Sequence, residues 1–327
     1  GGNLFHHIYD LVIDTKCSDA ALAARFSRLV EALGFVPGTH RHARFIVTLE
    51  LKSRNADRRD RAVTAPAYIF GSTRVFSENG LQYLTYSKSR FSVSSASKSG
   101  VVELDESFWQ KAFYARNSFI IMGLILLFWQ YGYHELHGAA LVKNGKGLLI
   151  TGPSGSGKST LAIGLIRQGW CFLTDDMILL HKGERSVEAL TIRKYFKVDI
   201  EVMKKFPELS RISPTHVPRL KNKVFLYLDE VFSGKQLYRC TPEIIIFPRI
   251  TRDAESRLVP MKQSSAFIKL LLNNCYNMFL EKRTIKNRLN TMESLMAQAM
   301  SYELNLGLDL YENPGKIYDV VPILRDL

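Results

Sequence analysis

Residues Gly152 to Thr160 read GPSGSGKST, a complete G-x-x-x-x-G-K-S phosphate loop. Upstream, Gly147 to Thr151 (GLLIT) is an apolar run of strand length; downstream, Leu161 to Gln168 is apolar at helical spacing and ends at Gly169. Strand, glycine loop and helix in that order restrict the chain to an α/β domain. Successive backbone N–H groups and the positive end of the helix then surround the phosphates of a nucleotide. Gly152, Ser154, Gly155, Ser156, Gly157, Lys158, Ser159 and Thr160 form the expected cradle. In it Lys158 reaches the β- and γ-phosphates and the Ser159 hydroxyl ligates Mg²⁺. A glycine-rich turn without a ligand has no need of the Lys-Ser pair at this spacing. The implied ligand is a nucleoside triphosphate.

The 327 residues suffice for one large domain or two ordinary ones, and 46% hydrophobic with 23% charged residues fits a folded globular chain. The net charge of +13 suits phosphate-bearing ligands, an acidic peptide or nucleic acid, and does not choose among them. The densest basic stretch, Lys52 to Arg61 (KSRNADRRDR), reads as a solvated loop. No arginine-rich motif or aromatic-interleaved basic sheet marks a nucleic-acid partner. Cys17, Cys171, Cys240 and Cys275 are scattered without metal-ligand spacing, so reduced thiols and a cytoplasmic location are expected. Phe119 to Trp129 (FIIMGLILLFW) is 11 apolar residues, well short of the roughly 20 that span a bilayer. It reads as the middle of a core helix from Glu106 to Tyr133, and no membrane association is expected.

Residues 1–105 read as an α+β module whose candidate role is substrate recognition. A strand at Tyr9–Ile13 precedes an amphipathic helix capped by Ser18 and stopped at Gly34. Short strands at 44–52, 67–70, 81–87, 91–94 and 101–104 follow as an antiparallel meander. Residues 106–327 form the second domain. There His137 to Val142 is a strand, Asn144-Gly145 a hairpin turn, and Cys171 to Leu173 a strand ending at Thr174-Asp175-Asp176. Further strands are expected at 177–181, 186–192, 224–228 and 243–247, and helices at 264–273 and 284–300.

Asp175-Asp176 is the second informative feature. An Asp-Asp pair alone is usually a turn or a cap. One strand after a phosphate loop, one carboxylate can hold the Mg²⁺ and the other can accept the proton of an attacking hydroxyl. On an extended segment such neighbours point to opposite faces. His137, at the head of the strand before the phosphate-loop strand, is the third feature; alone it reads as a hydrogen-bonded structural residue.

The order His-Gly, strand, hairpin, strand, phosphate loop, helix, strand, Asp-Asp across 136–181 resembles the HPr kinase/phosphorylase family and its smaller kinase relatives. A looser likeness runs through Pro242 to Pro260. The resemblance implies a phosphoenolpyruvate-carboxykinase-like P-loop kinase domain with a mixed sheet, here preceded by the smaller α+β domain. It implies ATP and Mg²⁺ as cofactors, Asp175 as base, Asp176 beside Ser159 on the metal, and His137 steering the acceptor. Arg249 and Arg252 become candidates for clamping a phosphate or an acidic substrate end. The family's Glu-x-Arg-Gly-x-Gly signature is only partly kept in Ala189 to Phe196 (ALTIRKYF): Arg193 stands in the arginine place and both glycines are missing. HPr itself is therefore not the acceptor implied. The likeness is greater to the short relatives that include lasso-peptide precursor kinases, with a peptide or small protein as substrate and homo-oligomers as the family's habit. A small-molecule hydroxyl kinase and a nucleotide-switched binding NTPase are the alternatives.

Overall fold

The computed structural model describes residues 3–38, 43–54, 65–78, 80–193, 195–213, 219–274 and 282–324. Its contacts divide into two compact units, the first running to Tyr133 and including the later segment Asn277–Ile285, the second made of His134–Tyr276 and Lys286–Leu327.

Strands β1 (Asn3–Ile8), β2 (Leu11–Lys16), β3 (Val36–Pro37), β4 (Phe45–Ser53), β5 (Tyr68–Phe70), β6 (Thr73–Glu78), β7 (Leu81–Tyr86), β8 (Ser89–Ser94) and β9 (Ser99–Leu104) build the first unit. They form one sheet in the order β3-β1-β2-β4-β9-β8-β7-β6-β5. The meander is present from β5 to β9, while β4 pairs in parallel with both β2 and β9. The single strand expected at Tyr9–Ile13 is instead a hairpin. Tyr9 turns the chain at φ 56°, and Ile8 pairs with Leu11. Helix α1 (Ala20–Leu33) is capped by Asp19 rather than Ser18: the Asp19 carboxylate accepts the N–H groups of Ala21 and Leu22, and Gly34 closes the helix at φ 116°. The expected helix 106–133 is two pieces, a 3₁₀ segment Glu106–Gln110 and α2 (Phe113–Trp129), separated by extended backbone at Lys111 and Ala112. Helix α2 packs on β7 and β8, where Gly123 lets the Phe91 ring approach the helix backbone. That packing groups α2 with the first unit by contacts. The basic stretch Lys52 to Arg61 lies outside the described residues beyond Arg54.

The second unit holds β10 (Tyr133–His137), β11 (Ala139–Lys143), β12 (Lys146–Ile150), β13 (Cys171–Thr174), β14 (Met177–Lys182), β15 (Val187–Leu190), β16 (Tyr195–Asp199), β17 (Arg219–Leu220), β18 (Lys223–Tyr227), β19 (Arg239–Ile250), β20 (Arg257–Pro260) and β21 (Met300–Leu306). The main sheet runs β10-β14-β15-β19-β12-β11-β13, with β21 also on β19 and β20 on β21. It is mixed. β12 and β21 are parallel to β19, whereas β11 is antiparallel to β12 through the Asn144-Gly145 turn, whose φ angles are 50° and 83°. Both faces are covered, which explains strands that are apolar throughout. Leu148, Ile150, Ile244 and Ile246 face α3 (Lys158–Arg167) and Trp170, while Leu149, Ile245 and Phe247 face helices Gln263–Leu272 and Lys282–Gln298. A separate three-stranded sheet, β16-β18-β17, buries Phe196, Val198, Val224 and Leu226 in the first of these cores.

The strand expected at 137–142 is broken at Gly138, where the chain passes from β10, beside β14, to β11, beside β12. A Cβ at Gly138 would lie 2.7 Å from the Ile150 carbonyl oxygen, which is backbone and fixed by the sheet. Gly138→Ala is therefore expected to destabilise the fold by about 1–3 kcal/mol, read as a lowered urea midpoint. An unchanged midpoint would show that the strand break has slack.

Candidate active site

The phosphate loop leaves β12 and enters α3 with Gly155 at φ 82° and Gly157 at φ 96°, conformations that a side chain would strain. Gly157 directly precedes α3, so the first-turn N–H groups of the helix face the loop. Lys158 is buried, and its ammonium donates to the carbonyls of Gly152 and Pro153, both at 2.8 Å, folding the loop around itself. Burial, aided by the charge of Lys223, draws the Lys158 ammonium down to about 8; the Asp175 carboxylate pulls the other way. Ser156 is buried with an Oγ that finds no partner among the described residues. Ser159 and Thr160 are half-buried, and Ser154 and Gly155 are exposed.

Asp175 and Asp176 occupy the bend between β13 and β14, and their surroundings differ sharply. Asp175 is buried. Its Oδ2 accepts the backbone N–H of Lys197 at 3.0 Å, and its Oδ1 has no hydrogen-bond partner among the described residues. Burial pushes this carboxyl up to about 6, against the opposing pull of Lys197, Arg193 and Lys223. Asp176 is more open. Its Oδ2 is held by the guanidinium of the buried Arg193 and by the Lys197 ammonium at 2.7 Å.

His137 is tied to the same bend. Its Nδ1 lies 2.7 Å from the Asp176 carbonyl oxygen, which can only accept, so Nδ1 carries the proton and Nε2 is left as an acceptor. Burial and the surrounding cations Lys158, Lys197, Lys223 and Arg193 draw the imidazole down to about 4, leaving it neutral near pH 7. The His137 N–H donates to Asn274 Oδ1 at 2.6 Å, and the His137 carbonyl accepts the Thr151 hydroxyl at 2.9 Å. Four cations (Lys158, Arg193, Lys197, Lys223) thus share mutual electrostatic reach with two carboxylates and a neutral imidazole. Cationic side chains outnumber the carboxylates in this cluster.

The structure brings together Lys158, Asp175, Asp176, His137 and Arg193. Arg249 and Arg252 lie at and just beyond the end of β19, which runs parallel to β12 and so ends on the same sheet edge as the loop. Both are exposed, and among the described residues neither has a hydrogen bond or ion pair with the loop or the aspartates. Sequence reasoning missed Lys197 and Asn274. The alternation Tyr195-Phe196-Lys197-Val198-Asp199 was the available signal for Lys197, since it marks a half-buried strand with the lysine on its outer face. Nothing local marks Asn274. Phe196, next to Lys197, is buried in the core beneath β16.

The family model for the HPr serine kinase C-terminal domain matches residues 132–202, from the first site strand through Lys197. The site-bearing segment is HPr-kinase-like. The HPr kinase/phosphorylase of Pelodictyon phaeoclathratiforme is 41% identical over 56 residues, so that the match spans 17% of this chain and 17% of that enzyme's length. The HPr(Ser) kinase/phosphatase from Coxiella burnetii overlays 59% of this chain and 90% of its own at 14% identity and a TM-score of 0.33, too loose an overlay to set residues in correspondence. Among the described residues no helix is long and apolar enough to cross a membrane. The HPr-kinase-like segment carries the phosphate loop, His137 and both aspartates, whereas Arg249 and Arg252 lie beyond it.

Proposed function

We propose that the protein is an ATP- and Mg²⁺-dependent serine kinase acting on a peptide, most specifically the C-terminal Ser of a lasso-type precursor. The observation that carries the reading is the Asp175 carboxylate: buried, anchored through one oxygen, without a hydrogen-bond partner among the described residues at the other, and within electrostatic reach of the phosphate-loop lysine. An incoming serine hydroxyl finds in that oxygen an acceptor that no described residue already occupies. In the reaction the serine O–H gives its proton to Asp175 Oδ1 while the oxygen attacks the γ-phosphorus. The bond from that phosphorus to the β,γ-bridging oxygen breaks in line, and ADP leaves. Lys158 and the loop N–H groups take up the charge on the departing diphosphate. His137 Nε2, neutral and accepting, orients a donor on the acceptor substrate.

Ser159 Oγ and an Asp176 oxygen are hard donors of the kind Mg²⁺ prefers, and both residues are half-buried rather than closed off. When bound there, the ion supplies charge neutralisation for the phosphates. Arg249 and Arg252 would reach an acidic end of the substrate from the shared sheet edge. The test is mass spectrometry of peptides ending in Ser after incubation with ATP and Mg²⁺, with the modified residue mapped and free serine as a parallel acceptor. Phosphate gained by free serine as readily as by any peptide would replace the peptide reading with a small-molecule kinase. ATP hydrolysis with no acceptor modified would favour a nucleotide-switched NTPase.

The raised Asp175 pKa gives this reading a pH signature. Only the ionised carboxylate accepts a proton, so kcat/KM should fall about tenfold per pH unit below an acid limb centred at about 6. An ordinary aspartate would put that limb at about 4. A limb at the lower value would show that Asp175 is solvated during turnover or is not the base.

A further inference from the structure

The β16 strand does more than pack. Lys197 touches both aspartates with two different groups: its backbone N–H bonds Asp175 Oδ2 at 3.0 Å, and its ammonium bonds Asp176 Oδ2 at 2.7 Å. Arg193 holds the same Asp176 oxygen from a buried position. The Lys197 side chain keeps about a quarter of its surface exposed (24%) and lies over the Phe225 ring at 5.8 Å, on the face of β16 turned away from the core. It is thus more open to solvent than Arg193, whose side chain is 5% exposed.

Asp176 therefore already carries two cationic partners on one oxygen. A third cation arriving at this carboxylate meets two positive charges within a few ångströms of its seat. Positive charge so close to the seat opposes a divalent ion. Of the two, Lys197 is the more exposed and Arg193 the more deeply buried.

We propose that Lys197 is a built-in competitor for the divalent cation, a positioning residue whose ammonium holds Asp176 until the metal displaces it. This rests on the reading of Asp176 as a metal ligand. The ammonium keeps the acidic bend ordered while the nucleotide site is empty, and it holds the site's own affinity for metal low. The metal is then favoured only when it arrives with the negative charge of a triphosphate. The backbone N–H that secures Asp175 is independent of the side chain, so removing the ammonium leaves the base in place.

The measurement is Mn²⁺ binding to the full chain in the presence of a non-hydrolysable ATP analogue, followed by electron paramagnetic resonance. Lys197→Met should bind Mn²⁺ about three- to tenfold more tightly than the parent, and Lys197→Arg, which restores the charge, should return the affinity toward the parent value. A purely structural lysine would give the opposite sign, since loosening Asp176 weakens a ligand. Unchanged or weaker binding in Lys197→Met, with a far-ultraviolet spectrum and melting curve like the parent's, overturns the inference. Asp176→Asn separates the two claims. If it loses Mn²⁺ while Lys197→Met is neutral, only the competitor role fails. If it binds Mn²⁺ like the parent, Asp176 is not a ligand and both fail.

Discussion

Lys158→Met is expected to abolish phosphoryl transfer, lowering kcat/KM by at least about a thousandfold through lost charge stabilisation at the phosphates. Two features make this loss larger than a surface lysine would give. The ammonium is buried and folded onto the Gly152 and Pro153 carbonyls, so the loop closes on it before any ligand arrives. It also sits in reach of Asp175, so that phosphate end and base share one electrostatic neighbourhood. Removing it leaves two loop carbonyls without their donor and the triphosphate without its nearest protein cation. Nucleotide affinity should fall together with turnover, measured by titration with a fluorescent ATP analogue. Wild-type affinity and turnover in Lys158→Met would dissolve the kinase assignment.

Asp175→Asn is expected to divide binding from chemistry. The amide keeps the shape and can still accept the Lys197 N–H through its oxygen, but it cannot take a proton. Transfer should drop by about 10²–10⁴, the usual contribution of a positioned base, with nucleotide affinity within about threefold of the parent because the loop and Lys158 are untouched. The neutral amide also removes the penalty of a buried charge, so the variant should be no less stable than the parent. Loss of ATP binding in Asp175→Asn would mean that the residue shapes the nucleotide pocket. Full activity would move the proton acceptor to Asp176 or His137.

The parts of this site that could be read from the chain are those coded over short distances. The phosphate loop, the Asn144-Gly145 hairpin and the helix after the loop are each specified by neighbours within a dozen residues, and all three are present. The errors have a common cause in backbone turns made by residues with no turn chemistry. Tyr9 adopts a positive φ within a hairpin, and Lys111 with Ala112 interrupts a helix without glycine or proline. The break at Gly138 was visible as a glycine, but its reason is the Ile150 carbonyl across the sheet, a tertiary contact. The same holds for the site. Asp175 and Asp176 follow β13 and are legible as a motif, yet their partners Arg193 and Lys197 come from 17 and 21 residues further on, and Asn274 reaches His137 across 137 residues. No periodicity specifies such a meeting. Arg249 and Arg252, chosen for their chemistry, lie at the loop's end of the sheet because a strand parallel to β12 delivers them there, and not because of anything in their immediate sequence.

One attachment carries a longer consequence. Asp175 is moored by a peptide N–H of an edge strand, and every non-proline residue offers that group whatever its side chain. The placing of this carboxylate thereby depends on topology and not on the outward side chains of that strand. Exchanging those side chains would leave the peptide anchor of Asp175 where it is.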